Sequence, residues 1–237
     1  MAASFIDLVV NNPVFATLKQ AERASLAQLA IARNYEKGQF IIHRGDVWPY
    51  LFLVAEGKVG AIKESAEGRS LIVATLEPGE LFWGLAFFHE DLPMPVSLEA
   101  QAATTLRLWP REYILPVLLR NGQSSWELCR LMVNRMLHAS EIVEELAFQP
   151  LIGRVARLLL EHFPADQDSA ARHLTLDEMA AHVGTTREMV CRLLYRFAEE
   201  GAIRINRTEF VFTDRSILEE HIRGTGRTRQ LVNAPIG

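Results

Sequence analysis

Residues 174–200 read LTLDEMAAHVGTTREMVCRLLYRFAEE, a stretch that divides into two helices around one glycine. Thr175 and Glu178 have the spacing of a capping box, in which each side chain accepts the other residue's free backbone N–H. Met179, Ala180 and Val183 give the short first helix an apolar face. Gly184 can take the positive φ of a tight interhelical turn. A second helix is expected from Thr185 or Thr186. On it Val190, Leu193, Leu194 and Phe197 fall at i, i+3, i+4 and i+7, one core-facing stripe. Arg187, Glu188, Cys191 and Arg192 fall at i, i+1, i+4 and i+5 and share another face.

That second face has the chemistry of major-groove readout. An arginine can donate two hydrogen bonds to guanine O6 and N7, and a glutamate can accept from cytosine N4. Recognition helices present their N-terminal residues to base edges. Two plainer readings stand beside this one. Charges on an exposed helix face are ordinarily just solvated. Glu188 also lies three residues after Thr185 and would complete a second capping box there; with Thr186 as N-cap it is free to meet bases.

The flanks favour DNA. After Gly201, Ile203 and Ile205, then Phe210 and Phe212, alternate around a turn at Asn206-Arg207, which predicts a β-hairpin placed as the wing of a winged helix. Thr175, Thr185, Thr186, Arg204 and Arg207 are the candidates for the phosphate backbone. Cys191 is expected to be a small side chain beside the bases.

Upstream, Ser124–Phe148 contains neither Gly nor Pro and reads as one long helix. Cys129, Met132, Met136, Ala139, Val143 and Leu146 follow a 3,4 spacing; Leu128, Leu131 and Ile142 form a second stripe. Two apolar faces fit a helix that packs on its own domain and on a second copy, because Arg135, Glu141 and Glu144 are hard to bury in a single core. Before it, short segments rich in β-branched and aromatic residues alternate with turns: Gln39–His43, Tyr50–Glu56, Lys58–Glu64, Ser70–Thr75, Pro95–Ala100 and Thr104–Trp109. They predict an antiparallel roll or sandwich. Leu18, Leu26, Leu29, Ala30 and Ile31 read as helical, and Pro164–Arg172 as a polar loop leaving the core.

The chain resembles the CRP/FNR family of bacterial regulators over nearly its full length. The resemblance rests on Tyr35 and Gly38, Gly45-Asp46, Glu56-Gly57-Lys58-Val59, Pro78-Gly79-Glu80, Leu146-Ala147-Phe148 and Gly153-Arg154-Val155-Ala156. Arg187, Glu188 and Arg192 match the positions with which the cyclic-AMP-receptor branch reads half-sites containing TGTGA. The resemblance implies an α+β chain: an N-terminal cyclic-nucleotide-binding-type antiparallel β-roll over 1–122, a dimerisation helix over 123–148 and a winged helix-turn-helix over 149–237. It further implies a homodimer on a two-fold symmetric DNA site, with RNA polymerase as a partner.

The effector pocket departs from that family. Where cyclic-AMP receptors hold phosphate and ribose with Gly-Glu and Arg-Ser, this sequence has Trp83-Gly84 and Met94-Pro95; Leu85 follows the first pair, and Ala139-Ser140 stand where adenine would be met. A cyclic phosphate taken out of water needs a cation or several N–H donors. Cyclic nucleotide binding of the usual kind is therefore not expected. An apolar small molecule, a haem on His43, His89 or His138, or no ligand remain open, and an aromatic run that packs the roll shut is preferred slightly. No cofactor and no metal site is expected.

The bulk numbers are compatible. The chain has 237 residues, 49% apolar and 23% charged, with a net charge of −4. The part from residue 149 holds 12 basic and 12 acidic residues, and all its basic residues are Arg. Its two cysteines have no metal-ligand spacing, and no apolar run is long enough to span a bilayer. A cytoplasmic transcription regulator is expected. The alternative is a ligand- or partner-binding module whose winged helix does not read DNA specifically. An enzyme finds no nucleophile–base pair, metal cluster or phosphate loop in its support.

Overall fold

The computed structural model of the protein describes residues 5–163, 169–171, 174–206 and 209–223. They fall into two units: one runs to Lys63 and resumes over Ile72–Ala139, and the other comprises Glu64–Leu71 and the chain from Ser140 onward.

In the first unit, helices α1 (Phe5–Asn11), α2 (Pro13–Ala16) and α3 (Gln20–Leu29) precede the strands. Asn12 caps α2, its Oδ1 accepting the Val14 N–H at 3.1 Å. The helical reading of Ile31 is corrected: α3 stops at Leu29, Ala30 is extended, and Ile31 opens strand β1 (Ile31–Tyr35). The first four residues of β1 are exposed along a sheet edge, so no alternation marked it as a strand.

Strands β2 (Phe40–Ile42), β3 (Tyr50–Glu56), β4 (Val59–Glu64), β5 (Ser70–Leu76), β6 (Leu81–Trp83), β7 (Ser97–Ala100) and β8 (Thr104–Pro110) complete two four-stranded sheets, ordered β1-β8-β3-β6 and β2-β7-β4-β5. Alternation along β3 divides the core. Leu51 and Leu53 join Leu81, Trp83, Phe15, Trp109 and Leu128 on the helix-covered side. Phe52 and Val54 point between the sheets, with Val59, Met94, Leu98 and Leu106.

Helix α4 (Arg111–Arg120) leads into α5 (Gly122–Phe148). Its start is fixed by Ser124, fully buried, whose hydroxyl meets that of Thr17 at 2.5 Å. Leu128 is buried and Leu131 half-buried against the helix-covered core. Cys129, Met132, Met136, Ala139, Val143 and Leu146 all face solvent, Met136 at 63% and Val143 at 65% exposure. Trp126, Val133 and Leu137 extend this exposed apolar surface to one side. Arg135 departs from expectation: it is largely buried, because Glu80 accepts from its Nη2 at 2.9 Å.

The second unit holds α6 (Leu151–His162), β9 (Ser169–Ala171), α7 (Leu176–Val183), α8 (Arg187–Glu199), β10 (Ile203–Ile205), β11 (Glu209–Phe212) and α9 (Arg215–Arg223). The expected polar loop is corrected in its middle, where Ser169–Ala171 pairs with β11 as the third strand of a sheet ordered β10-β11-β9. Val155, Leu159, Phe163, Met179, Val190, Phe197, Phe210 and Leu218 form the core.

Candidate nucleic-acid interface

The helix-turn-helix forms as the residues dictate. Thr175 Oγ1 accepts the Glu178 N–H at 3.1 Å, and Glu178 Oε2 accepts the Thr175 N–H at 2.7 Å, which closes the capping box. Gly184 turns the chain at φ 66°, ψ 46°, and the Thr185 N–H reaches back to the Ala180 carbonyl at 3.0 Å. A side chain at Gly184 would be strained by that φ and would also meet Leu146 Cδ2 at 3.1 Å. Thr186 is the N-cap of α8, accepting the Met189 N–H. That settles the choice between the two threonines and leaves Glu188 outside a second capping box.

Val190, Leu194 and Phe197 are buried and Leu193 half-buried, so one stripe of α8 is spent on the core. At 100° per residue, Arg187, Cys191, Glu188 and Arg192 span the outer face in that order. Arg187, Glu188 and Arg192 are exposed and Cys191 is partly so. Arg187 Nη1 makes an exposed ion pair with Asp177 Oδ2 at 3.3 Å, which holds the guanidinium at the mouth of the turn. Among the described residues Arg192 has no ion-pair partner. Glu188 is held below the ordinary carboxylate range by its own backbone N–H and the Thr186 hydroxyl, with Arg187 adding to the effect. It stays an acceptor at neutral pH.

Tyr195, 62% exposed, lies on the same face two turns beyond Arg187 and was missed by pattern reading. Its i+8 spacing from Arg187 was the available signal, obscured because an aromatic residue reads first as core. In the wing, β10 and β11 pair Ile203 with Phe212 and Ile205 with Phe210, and Arg204 is exposed between them. Arg207 lies outside the described residues.

The residues singled out around the effector position do not share one cavity lining. Trp83 points to the helix-covered core, where it meets Phe88 edge to face. Met94 is buried between the sheets, and Pro95 is exposed. Gly84 is pressed against Trp48: a Cβ would stand 1.7 Å from the Trp48 carbonyl oxygen. Leu85 is half-buried, and Ala139 and Ser140 are exposed on α5. The Gly84 N–H donates to Tyr50 and the Met94 N–H to Asp46, at 2.9 and 2.8 Å. Among the described residues no group of three or more His, Cys, Asp or Glu could hold a metal ion, and no helix is long and apolar enough to cross a membrane.

Residues 32–121 match the cyclic nucleotide-binding domain, and residues 153–221 match the Crp-like helix-turn-helix domain. The chain is 31% identical to the cyclic AMP receptor protein of Thermus thermophilus over 193 residues, 79% of this chain and 86% of that one. It is 24% identical over 225 residues to the CRP-like cAMP-activated global transcriptional regulator of Mycobacterium tuberculosis, covering 92% and 99% of the two chains. A crystal structure of a protein from Eubacterium rectale assigned to the Crp/Fnr family superposes with a TM-score of 0.75 at 25% identity, covering 89% and 98%.

Proposed function

The chain belongs to the CRP/FNR family of transcription regulators, and on that premise we propose that it binds a two-fold symmetric DNA site as a homodimer and reads TGTGA-like half-sites with Arg187, Glu188 and Arg192. The observation that carries this reading is the outer face of α8. Its three charged groups project from a helix whose other face is fixed in the core and whose first turn is capped by Thr186. The arginines supply paired donors for guanine, and Glu188, kept ionised, supplies the acceptor for cytosine. Thr175, Thr185, Thr186, Tyr195 and Arg204 contribute phosphate contacts that set position rather than sequence. Arg187 must leave Asp177 to meet a base, an exchange that costs little for an exposed pair.

The exposed stripe of α5 from Cys129 to Leu146 supports the homodimer. Two copies paired along it would offer two recognition helices to one DNA, and reading successive major grooves requires these about one helical turn apart, roughly 34 Å. RNA polymerase is the partner that the family suggests for the bound dimer.

The relatives' names speak of cyclic AMP; the residues here do not suit it. Trp83 and Met94 are buried among apolar side chains, Pro95 has no N–H, and the N–H groups of Gly84 and Met94 are already bonded within the chain. No cofactor is proposed.

The test is site selection from random DNA, then binding by variants. Arg187→Ala and Arg192→Ala should each lose about 1–3 kcal/mol of discrimination at one guanine while other positions keep their preference. A uniform loss across all sequences would show that these arginines act as charge alone.

A further inference from the structure

Resting on that reading, we propose that Glu80 and Arg135 form an internal tether that fixes the long helix on the roll, so that the protein engages its DNA site without any small-molecule effector. Arg135 Nη2 donates to Glu80 Oε1 at 2.9 Å, and the two side chains are only 20% and 38% exposed. The Arg135 guanidinium lies 6.0 Å from the Phe82 ring centre, on the strand that follows Glu80.

The glutamate is itself held. Its second oxygen accepts the Glu77 N–H at 2.8 Å, and its carbonyl accepts from Val54 at 3.1 Å. Gly79 beside it donates to the Val54 carbonyl at 2.8 Å and accepts from Asn12 Nδ2 at 3.0 Å. The turn at Glu77–Glu80 is thus pinned to β3 and to the cap of α2, and a single side chain carries that rigidity to α5.

Arg135 sits one turn after Leu131, which packs on the roll, and one turn before Ala139, which belongs to the exposed stripe. Rotation of α5 about its axis would pull the guanidinium from Glu80. It would leave a half-buried charge whose Nε already lacks a hydrogen-bond partner, and such a charge strongly resists losing its remaining one. Meanwhile the space between the sheets is taken by Phe52, Met94, Leu98 and Leu106, all buried. The Glu80–Arg135 link thus acts from within the chain on the orientation in which α5 presents its stripe.

The experiment uses full-length protein shown by native mass spectrometry to carry no small molecule. The parental protein should bind its selected site in that state. Glu80→Gln and Arg135→Met should each weaken site-specific binding about tenfold. The double variant should be no weaker than either, since both remove one link. Amide hydrogen exchange in α5 up to Ala139 should rise in all three, while that in β3 stays slow. Three results would overturn the proposal: a parental protein that needs added cyclic AMP or another small molecule to bind specifically, single variants with parental affinity and parental exchange, or effects that add in the double variant. A parental protein with no sequence preference would instead sink the DNA reading, and exchange in α5 would then decide the tether alone.

Discussion

Arg187, Glu188 and Arg192 share the outer face of α8 but have three different surroundings. Arg187 is paired with Asp177, Arg192 is unpaired among the described residues, and Glu188 is kept charged by short-range donors. The last point has a pH consequence whose sign is fixed. A carboxylate whose folded pKa lies below its unfolded value of about 4.3 stays ionised as pH falls through the ordinary range, and loses its charge only below it. Preference for the cytosine that Glu188 is proposed to read should therefore stay flat from pH 8 to about pH 5, measured by competition between matched and substituted sites. Glu188→Gln should lose part of that preference at every pH in this range. A preference that decays on approach to pH 5 would show that DNA-bound Glu188 is not the acceptor.

At the scale of elements, caps and glycine decide where helices begin and end. The capping box of Thr175 and Glu178 supplies two N–H partners at the start of α7, and Thr186 supplies one for α8. Thr175→Ala should lower stability by about 1 kcal/mol, seen as a lower urea midpoint at unchanged slope. A shift in slope would mean that the variant alters the unfolding unit instead. Strands were legible where β-branched and aromatic residues cluster between turns, and β3 runs over Tyr50–Glu56 as that composition predicted. β1 was hidden by its exposed edge, and β9 by its short Ser-Ala-Ala sequence, which carries no apolar pattern. In β6 the run Leu-Phe-Trp is apolar throughout, so only the ladder to β3 shows that Trp83 faces the helices and Phe82 the space between sheets.

At the scale of the whole molecule, the long helix carries the largest group of exposed large apolar side chains among the described residues. Met136 and Val143 stand in water in the single chain, which is costly for large apolar side chains and would be relieved by the second copy proposed above. Met136→Glu would place two like charges across such a seam. Sedimentation should then show monomer at concentrations where the parental protein is dimeric, and operator affinity should fall at least a hundredfold because two half-sites are no longer linked. A dimer of parental stability would remove the stripe from the interface. The charge of Arg135 does not mark α5 as an interface helix, since Glu80 accommodates it within one chain.

What the sequence by itself determined is the local and periodic part: the paired helices around Gly184, the wing, the long helix, most of the roll, and the exposed face of α8 proposed to meet DNA. These follow from spacings of a few residues, in which propensity, capping and apolar period agree. Only the tertiary structure decided that Thr186 rather than Thr185 caps α8, that Asp177 holds Arg187, that Trp83 and Met94 belong to different cores, and that Glu80 reaches Arg135 across 55 positions. Each of these depends on which way a side chain points once strands have paired and helices have docked. Residues far apart in the chain leave no mark of that choice on the local pattern.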